Sequence, residues 1–490
     1  MSVQFFIIIF GLLFQSTFAL ALPNTAPPKT TEVVIIGAGL SGLASAYHLQ
    51  KAGIPYHIFE IKPRVGGRTH TVRYHRWGED IVTADAGMEE YWESNPGVKI
   101  LKTFNLPIEA YVASSSMTLQ GKVHPLIGDE EPDGYHRRLF NEYEYSAYKR
   151  FQSFVRPMVQ VLRAKERPIP IDFLNLKEIS FASWLKNQEL PIKVSEWIRV
   201  SIEPEIGTSI EAISAIDGIA ELHMLVGDGV NEEQAVRVLG GNQLFVDALV
   251  NHLGPQRISV NQRVTAVRSQ EDKVRVAYRD QEISAMGYVE AKHVVSTVPL
   301  YRLFEIQFTP GLSDEKLQAI QSMTWGSYFK AHVFTRPNAS RFWMKTGGSM
   351  LPILSDSNLG VIYESDVVTQ SKVRLLSLLV HGAHAEAFNQ MQPQQVREDI
   401  LASFEKLWPG FHEHYLDMEF YRFHPRALAS WPVGCSRYDA LSDAIRMPEH
   451  RVYLAGDHTE SAHSDGAFTS AERVVRQIVA ARNTLEEQEP

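Results

Sequence analysis

Hydrophobic positions along this chain change their spacing several times, and each change predicts an element. Phe5 to Phe14 (FFIIIFGLLF) is an unbroken apolar block followed by polar Gln15-Ser16-Thr17 and the small-x-small Ala19-Leu20-Ala21. A block of that length is too short to cross a bilayer, so a cleaved secretory signal over residues 1–21 is expected, although no Lys or Arg precedes it. Residues 22–30 are Pro-rich and polar and predict an extended linker. Glu32 to Ile36 is a short β-branched run bounded by glycine, as in a strand buried on both faces. Leu40, Leu43, Ala44 and Tyr47 then fall at helical spacing, with Gly53 as the stop. Ile54 to Glu60 predicts a second strand, which makes a βαβ unit with a parallel sheet and a right-handed crossover.

Farther on the pattern is mixed. Tyr135 to Lys165 carries aromatic and charged residues at helical spacing, and Ser180 predicts a cap for a helix through Trp184 and Leu185. Val289 to Val298 predicts a strand. Ser327 to Val380 alternates like an antiparallel sheet, with turns at Pro337-Asn338 and Gly347-Gly348. Arg451 to Ala455 predicts a last strand, leading into a helix near Ala467.

Composition narrows the class. The 490 residues exceed one ordinary core. The formal charge of -9, without a long Lys/Arg run, argues against a nucleic-acid partner. Cys435 is the one cysteine, so no internal disulfide can form. Asn338-Ala339-Ser340 is the one glycosylation sequon, compatible with export. The close pairs His381/His384 and His412/His414 lack a matching carboxylate arrangement, and HExxH and GxSxG are missing, so no metal site is expected.

Gly37-Ala38-Gly39-Leu40-Ser41-Gly42 fits G-x-G-x-x-G between a strand and a helix. Gly37 permits the tight turn, Gly39 lets a pyrophosphate near the backbone, and Gly42 lets helix and strand pack closely. The amides opening the helix then face the phosphate charge. Glu60 ends the second strand, where its carboxylate can accept ribose hydroxyls and repel a 2′-phosphate. The stretch Glu60-Ile61-Lys62-Pro63-Arg64-Val65-Gly66-Gly67-Arg68-Thr69 sets a glycine pair between two arginines suited to neutralising a retained diphosphate.

Here the sequence resembles the FAD-dependent amine oxidase family, which includes monoamine, polyamine and L-amino-acid oxidases. The signature E-x-x-x-R-x-G-G-R is matched at every specified position. Leu239 to Asn242 with Arg263-Val264 resembles the segment whose valine backbone pairs with the adenine. Val294 to Pro299 resembles the strand that closes the nucleotide domain. Leu454 to Glu460 and Ser464 to Phe468 resemble the terminal motif, in which Asp457, after Gly456, would hold the ribityl or pyrophosphate portion. The helix opening at Gly466 and Ala467 would direct its positive end at the flavin pyrimidine.

The resemblance implies an α/β fold. A Rossmann-type FAD-binding domain with a parallel sheet would be assembled from residues 31–90, 232–299 and 432–482. An inserted α+β substrate domain with an antiparallel sheet would take residues 91–231 and 300–431, leaving a disordered tail at 483–490. It also implies FAD as cofactor, held without a covalent bond in preference to a link through Cys435, with a small amine and O2 as partners and no transmembrane helix in the mature chain.

For the reacting centre, Trp325 to Lys330 resembles the family segment whose lysine holds a water against flavin N5. Lys330, between Phe329 and Ala331, would face inward at a desolvation cost. Trp431 and Tyr438 are candidates for the aromatic rings of an apolar substrate chamber. The residue four before Ala467 is His463, where monoamine oxidases carry a second ring, so a two-tyrosine cage is in doubt. His463 could instead accept the amine's proton. The expected activity is oxidation of an amine to an imine, with O2 reduced to H2O2, in the secretory pathway or outside the cell. A same-fold desaturase or protoporphyrinogen-type oxidase, an NAD dehydrogenase and a secreted protein that merely holds flavin are the alternatives. Amino-acid substrates would require an arginine in the chamber, and Arg73, Arg426 and Arg437 are the candidates.

Overall fold

The computed structural model describes residues 27–77, 80–112, 115–126, 132–164, 169–226, 234–364, 373–422 and 424–486. The expected signal segment, residues 1–21, lies outside them. Val33–Ile36 and Tyr56–Phe59 are the two expected strands, joined by the helix Leu40–Lys51. Both strands are buried along their whole length, because the sheet they join is covered on both faces.

That sheet has five parallel strands in the order Ile258–Ser259, Tyr56–Phe59, Val33–Ile36, His293–Ser296, Val452–Leu454. It is therefore built from separated stretches of chain. Strand alternation divides its two covers. Val33 and Ile35 pack towards helices, with Leu43, Phe245 and Val474 in the same core. Val34, Ile36 and Phe59 join Val267, Val276 and Val289 of a second, four-stranded sheet. The run expected as one strand from Val289 to Val298 is divided between these layers. Met286–Ala291 belongs to the four-stranded sheet and His293–Ser296 to the parallel one, with Lys292 at the crossing.

A seven-stranded, mostly antiparallel sheet runs Tyr415–Tyr421, Tyr328–Thr335, Arg374–His381, Val361–Glu364, Ile353–Leu354, Ser116–Leu119, Lys122–His124. Helices accompany it. Glu142–Arg163 opens with a capping box between Asn141 and Glu144, and Phe181–Lys186 is capped by Ser180 as expected. The helical stretch around Tyr135 is interrupted, with Pro132–Leu139 ending before Asn141 starts the next helix. Ile192–Ile206 and Ala215–Glu221 complete the helical core. The last helix spans Ser464–Glu486, starting three residues before the expected Ala467 and running past residue 482 into the stretch expected as tail. Among the described residues no helix is long and apolar enough to cross a membrane.

Candidate active site

On the nucleotide side, geometry follows from glycine. Gly37 has φ +107°, and a Cβ on Gly42 would lie 1.9 Å from the Gly37 carbonyl oxygen, so strand and helix meet only without side chains there. A Cβ on Gly67 would come within 3.2 Å of Gly39 Cα, so the two turns form a bare-backbone cradle. No side chain caps the helix Leu40–Lys51, which leaves amides at Leu40 and Ser41 for an anion. Glu60 is buried just beyond its strand, accepting hydrogen bonds from the Ala38 and Lys62 amides, both at 2.8 Å. The Gln262 amide donates to the Glu60 carbonyl at 2.8 Å and thereby sets Val264 against the same strand end. A bulge between Val264 and Ala266 interrupts that strand's pairing. These features fit an adenine dinucleotide held across the carboxyl ends of parallel strands.

The two arginines have different partners. Arg64 donates to the carbonyls of Gly67 (2.8 Å), Val65 (3.3 Å) and Thr69 (3.4 Å), so it braces the Gly66-Gly67 turn. Arg68 makes a two-pronged ion pair with Asp457. Burial opposes ionisation of Asp457, but Arg68 outweighs it and holds the carboxyl far below its ordinary value. Asp457 thus fixes a guanidinium at the cradle's rim. Gly456, at φ +134°, makes the turn before it, and its amide donates to Ser470 Oγ at 2.8 Å. Gly466 and Ala467 sit in the first turn of the last helix; a Cβ on Gly466 would meet Asp457 Cα at 3.2 Å. The lone thiol, Cys435, is half-buried.

The chamber side is built on one strand. In Tyr328–Thr335 the side chains of Phe329, Ala331 and Val333 point into a helix-covered core, so Lys330 and His332 take the opposite face. His332 hydrogen-bonds Tyr74 at 2.6 Å and the Asp85 carbonyl at 3.2 Å, and burial lowers its pKa to about 3. Lys330, 1% exposed, pairs with Glu89 and reaches the Gly87 carbonyl at 3.4 Å, with the Tyr363 ring 5.7 Å away. Ser377 Oγ donates to the same Glu89 oxygen at 2.9 Å. The expected inward lysine is present, and its partner is a glutamate that sequence reading missed. The clue was Glu89-Glu90 inside the otherwise weakly charged stretch Ala86 to Trp92.

A second buried network lies beside it. Asp217 and Glu221, four apart on one helix, share Arg437, whose Nε is 2.7 Å from Asp217. Glu221 also meets His463 Nε2 at 3.2 Å. Burial disfavours charge on His463, but Glu221, with Glu205 and Asp465 behind it, raises its pKa to about 9. Glu221 thus favours the protonated imidazole, which argues against the expected role of His463 as acceptor of the amine's proton. Its carbonyl instead receives the Ala467 amide at 3.3 Å, the first helical bond. Trp431, His463, Glu205 and Glu221 line one cavity. Tyr438 does not line it; its ring packs against the helical core. The cavity walls join Glu205, Asp217, Glu221, Arg437 and His463 to the apolar Ile206, Ile213, Ala429, Trp431 and Ala462, so charged and apolar residues share them. Burial, then Glu205 and Glu89, push Glu90 up to about 8.

The three candidate arginines are also placed. Arg437 is taken by two carboxylates, Arg426 is exposed over the Tyr301 ring at 5.2 Å, and Arg73 neighbours Asp247. No metal-binding cluster of His, Cys, Asp and Glu occurs among the described residues.

The profile of flavin containing amine oxidoreductases matches residues 40–479. The chain belongs to that family. Curated relatives include an amine oxidase [flavin-containing] of Danio rerio, 23% identical over 93% of this chain and 87% of its own. Polyamine oxidase 1 of Zea mays is 23% identical over 93% and 92%. The flavin-dependent L-tryptophan oxidase RebO of Lentzea aerocolonigenes is 24% identical over 92% and 98%. Among solved structures, a double mutant of putrescine oxidase superposes with a TM-score of 0.76 at 22% identity, covering 93% of this chain and all of the other. Cyclohexylamine oxidase from Brevibacterium oxydans gives 0.74 at 17% identity, covering 93% and 100%. The protein is thus an oxidoreductase of amines that uses FAD, and the NAD dehydrogenase reading falls away. The cradle at Gly39 and Gly67, Glu60 and the Arg68–Asp457 pair fit that cofactor.

Proposed function

We propose that this family member is an exported oxidase that converts an amine lacking a carboxylate to an imine, with O2 as final acceptor and H2O2 as product. FAD, when bound, supplies the acceptor for the hydrogen leaving the substrate's α-carbon. The chain's residues then do the rest. Gly37 to Gly42, Glu60 and Arg68 hold the dinucleotide by its phosphates and ribose without a covalent bond. Lys330, fixed by Glu89 and Ser377, holds one ammonium and the water it can bind at the inner face of the sheet. Glu205, Glu221 and His463 give the adjoining cavity its polar wall, and the imine hydrolyses to an aldehyde and ammonia. Export is supported by the apolar block at Phe5 to Phe14 and the sequon at Asn338, which falls on an exposed turn.

One observation carries this reading: a lysine with its side chain 1% exposed, ion-paired with Glu89 on the inner face of a strand. Buried lysines require a partner or a task, and a carboxylate-lined chamber attracts amines and repels acids. The rival desaturase leaves the buried Lys330–Glu89 pair without a task. A peroxide-coupled screen of the purified protein over alkylamines, diamines and L-amino acids tests it. Peroxide from amines and none from amino acids is expected; turnover of amino acids alone would refute the proposal. Recovery of the protein from culture medium, cleaved after Ala21, tests export.

A further inference from the structure

The partner of Lys330 is itself held from several directions. Glu89 comes from the loop that follows the strand Asp80–Asp85, and backbone and buried side chains grip that loop on three sides. On the cofactor side, the Met88 amide donates to the Arg68 carbonyl at 3.3 Å, and a Cβ on Gly87 would lie 1.8 Å from the same oxygen. On the second side, the fully buried Asn242 gives its side-chain amide to the carbonyls of Met88 and Glu89, both at 2.9 Å. On the third, Ser377 Oγ donates at 2.9 Å to the Glu89 oxygen that meets Lys330. The loop thus ties the arginine of the dinucleotide signature to the lysine of the sheet.

Two other carboxyls of this stretch act on Lys330, and neither is its ion-pair partner. Asp85 spends its oxygens on Thr71 Oγ1, the Asn242 amide and the Asn242 side chain. Glu90 is pushed up by burial, then by Glu205 and Glu89. Two imidazoles are near, His332 on the same strand and His424 from the loop after Tyr415–Tyr421; burial lowers both to about 3, so neither competes as a cation. Tyr421, paired with Lys330 across the sheet, turns its hydroxyl to Tyr74, and burial raises Tyr363 well above the ordinary phenol range. Among the described residues, Glu89 is the one carboxylate in contact with the ammonium. An ammonium buried to this degree keeps its charge only where a counter-ion offsets the lost hydration.

We propose that Glu89 is a positioning residue for reoxidation: it fixes the direction of the Lys330 side chain and keeps its amine charged for the step in which O2 takes two electrons and two protons from reduced FAD to give H2O2. The inference rests on the oxidase reading above and adds to it the group that governs the lysine. A fixed ammonium favours the negative charge that develops on oxygen as electrons arrive, and a neutral amine does not. Ser377 and the anchored loop hold the carboxylate in one place, so the lysine has one direction to point.

Glu89→Gln keeps the acceptor and removes the charge, and two readouts test it. In thermal unfolding it strands a buried ammonium, so the double variant Glu89→Gln/Lys330→Met should melt at least about 2 °C above Glu89→Gln alone. In yellow protein reduced with dithionite and mixed with oxygenated buffer, reoxidation should slow as pH rises, and in Glu89→Gln that decline should begin at a pH lower by at least about 1. Glu89→Asp, charged but shorter, should move it less and decides the question where Glu89→Gln does not fold. Single-variant melting shifts that simply add, or a pH profile that neither variant moves, overturn the inference; so does Lys330→Met that reoxidises at the wild-type rate. Dithionite replaces the substrate, so these outcomes leave amine oxidation standing. Failure of every amine to bleach the wild-type flavin refutes the oxidase reading and takes the inference with it.

Discussion

The two halves of this active site hold their ligands by different means. The dinucleotide half is made of backbone: glycine turns at Gly37 and Gly66, uncapped amides at a helix start, a carboxylate at a strand end. Its first parts, from Gly37 to Arg68, are close together in sequence, and spacing dictates where they fall; Val264 and Asp457 join them from far along the chain. The substrate half is made of side chains that six separate elements bring together. Lys330 comes from a sheet strand, Glu205 and Glu221 from two helices, Glu89 from a loop, Tyr363 from a second strand and His463 from a helix start. The lesson is that a cofactor cradle can be specified locally, whereas substrate recognition is a tertiary property.

The comparison can be broken most severely on the backbone side. Gly42→Val places atoms onto the Gly37 carbonyl, and the expected outcome is no folded, yellow protein, read from the ratio of flavin to protein absorbance. On the side-chain side the strongest change is Arg437→Met, which leaves Asp217 buried without its cation and Glu221 with His463 alone. It should cost about 3–5 kcal/mol in denaturant unfolding while flavin remains bound. Lys330→Met should keep flavin but slow its reoxidation by O2 at least about a hundredfold, measured by mixing reduced enzyme with oxygenated buffer.

A smaller effect is a pH dependence of stability. The folded protein holds the His463 proton up to about 9 against an ordinary 6.5, because Glu221 overcomes burial. The folded state thus binds more protons than the unfolded one in that interval, so this stabilisation is complete below 6.5 and lost as pH rises through about 9. Glu90, held protonated up to about 8 against 4.5, acts in the same direction between those values. The thermal midpoint should therefore fall from neutral to alkaline pH, and His463→Asn should flatten the decline.

The same contrast explains what could be read from sequence. The βαβ unit, the glycine cradle, Glu60 and the inward Lys330 were legible because each follows from a local period or a fixed spacing. For Arg64 the spacing suggested a phosphate contact, and the fold adds a role that spacing did not show: its guanidinium braces the Gly66-Gly67 turn that follows it. The chamber's polarity was illegible because Glu221 and His463 stand more than two hundred residues apart and only the fold makes them neighbours. His463 shows the cost of that blindness: an ordinary imidazole suits a base, and one glutamate from a distant helix converts it to a cation.

Anaerobic titration of the purified yellow protein with a diamine, followed by admission of air, tests the central claim most directly. The account predicts bleaching at one amine per flavin, then full return of colour with one H2O2 formed per turnover. Colour unaffected by any amine, or a bleached flavin that O2 does not reoxidise, would contradict it.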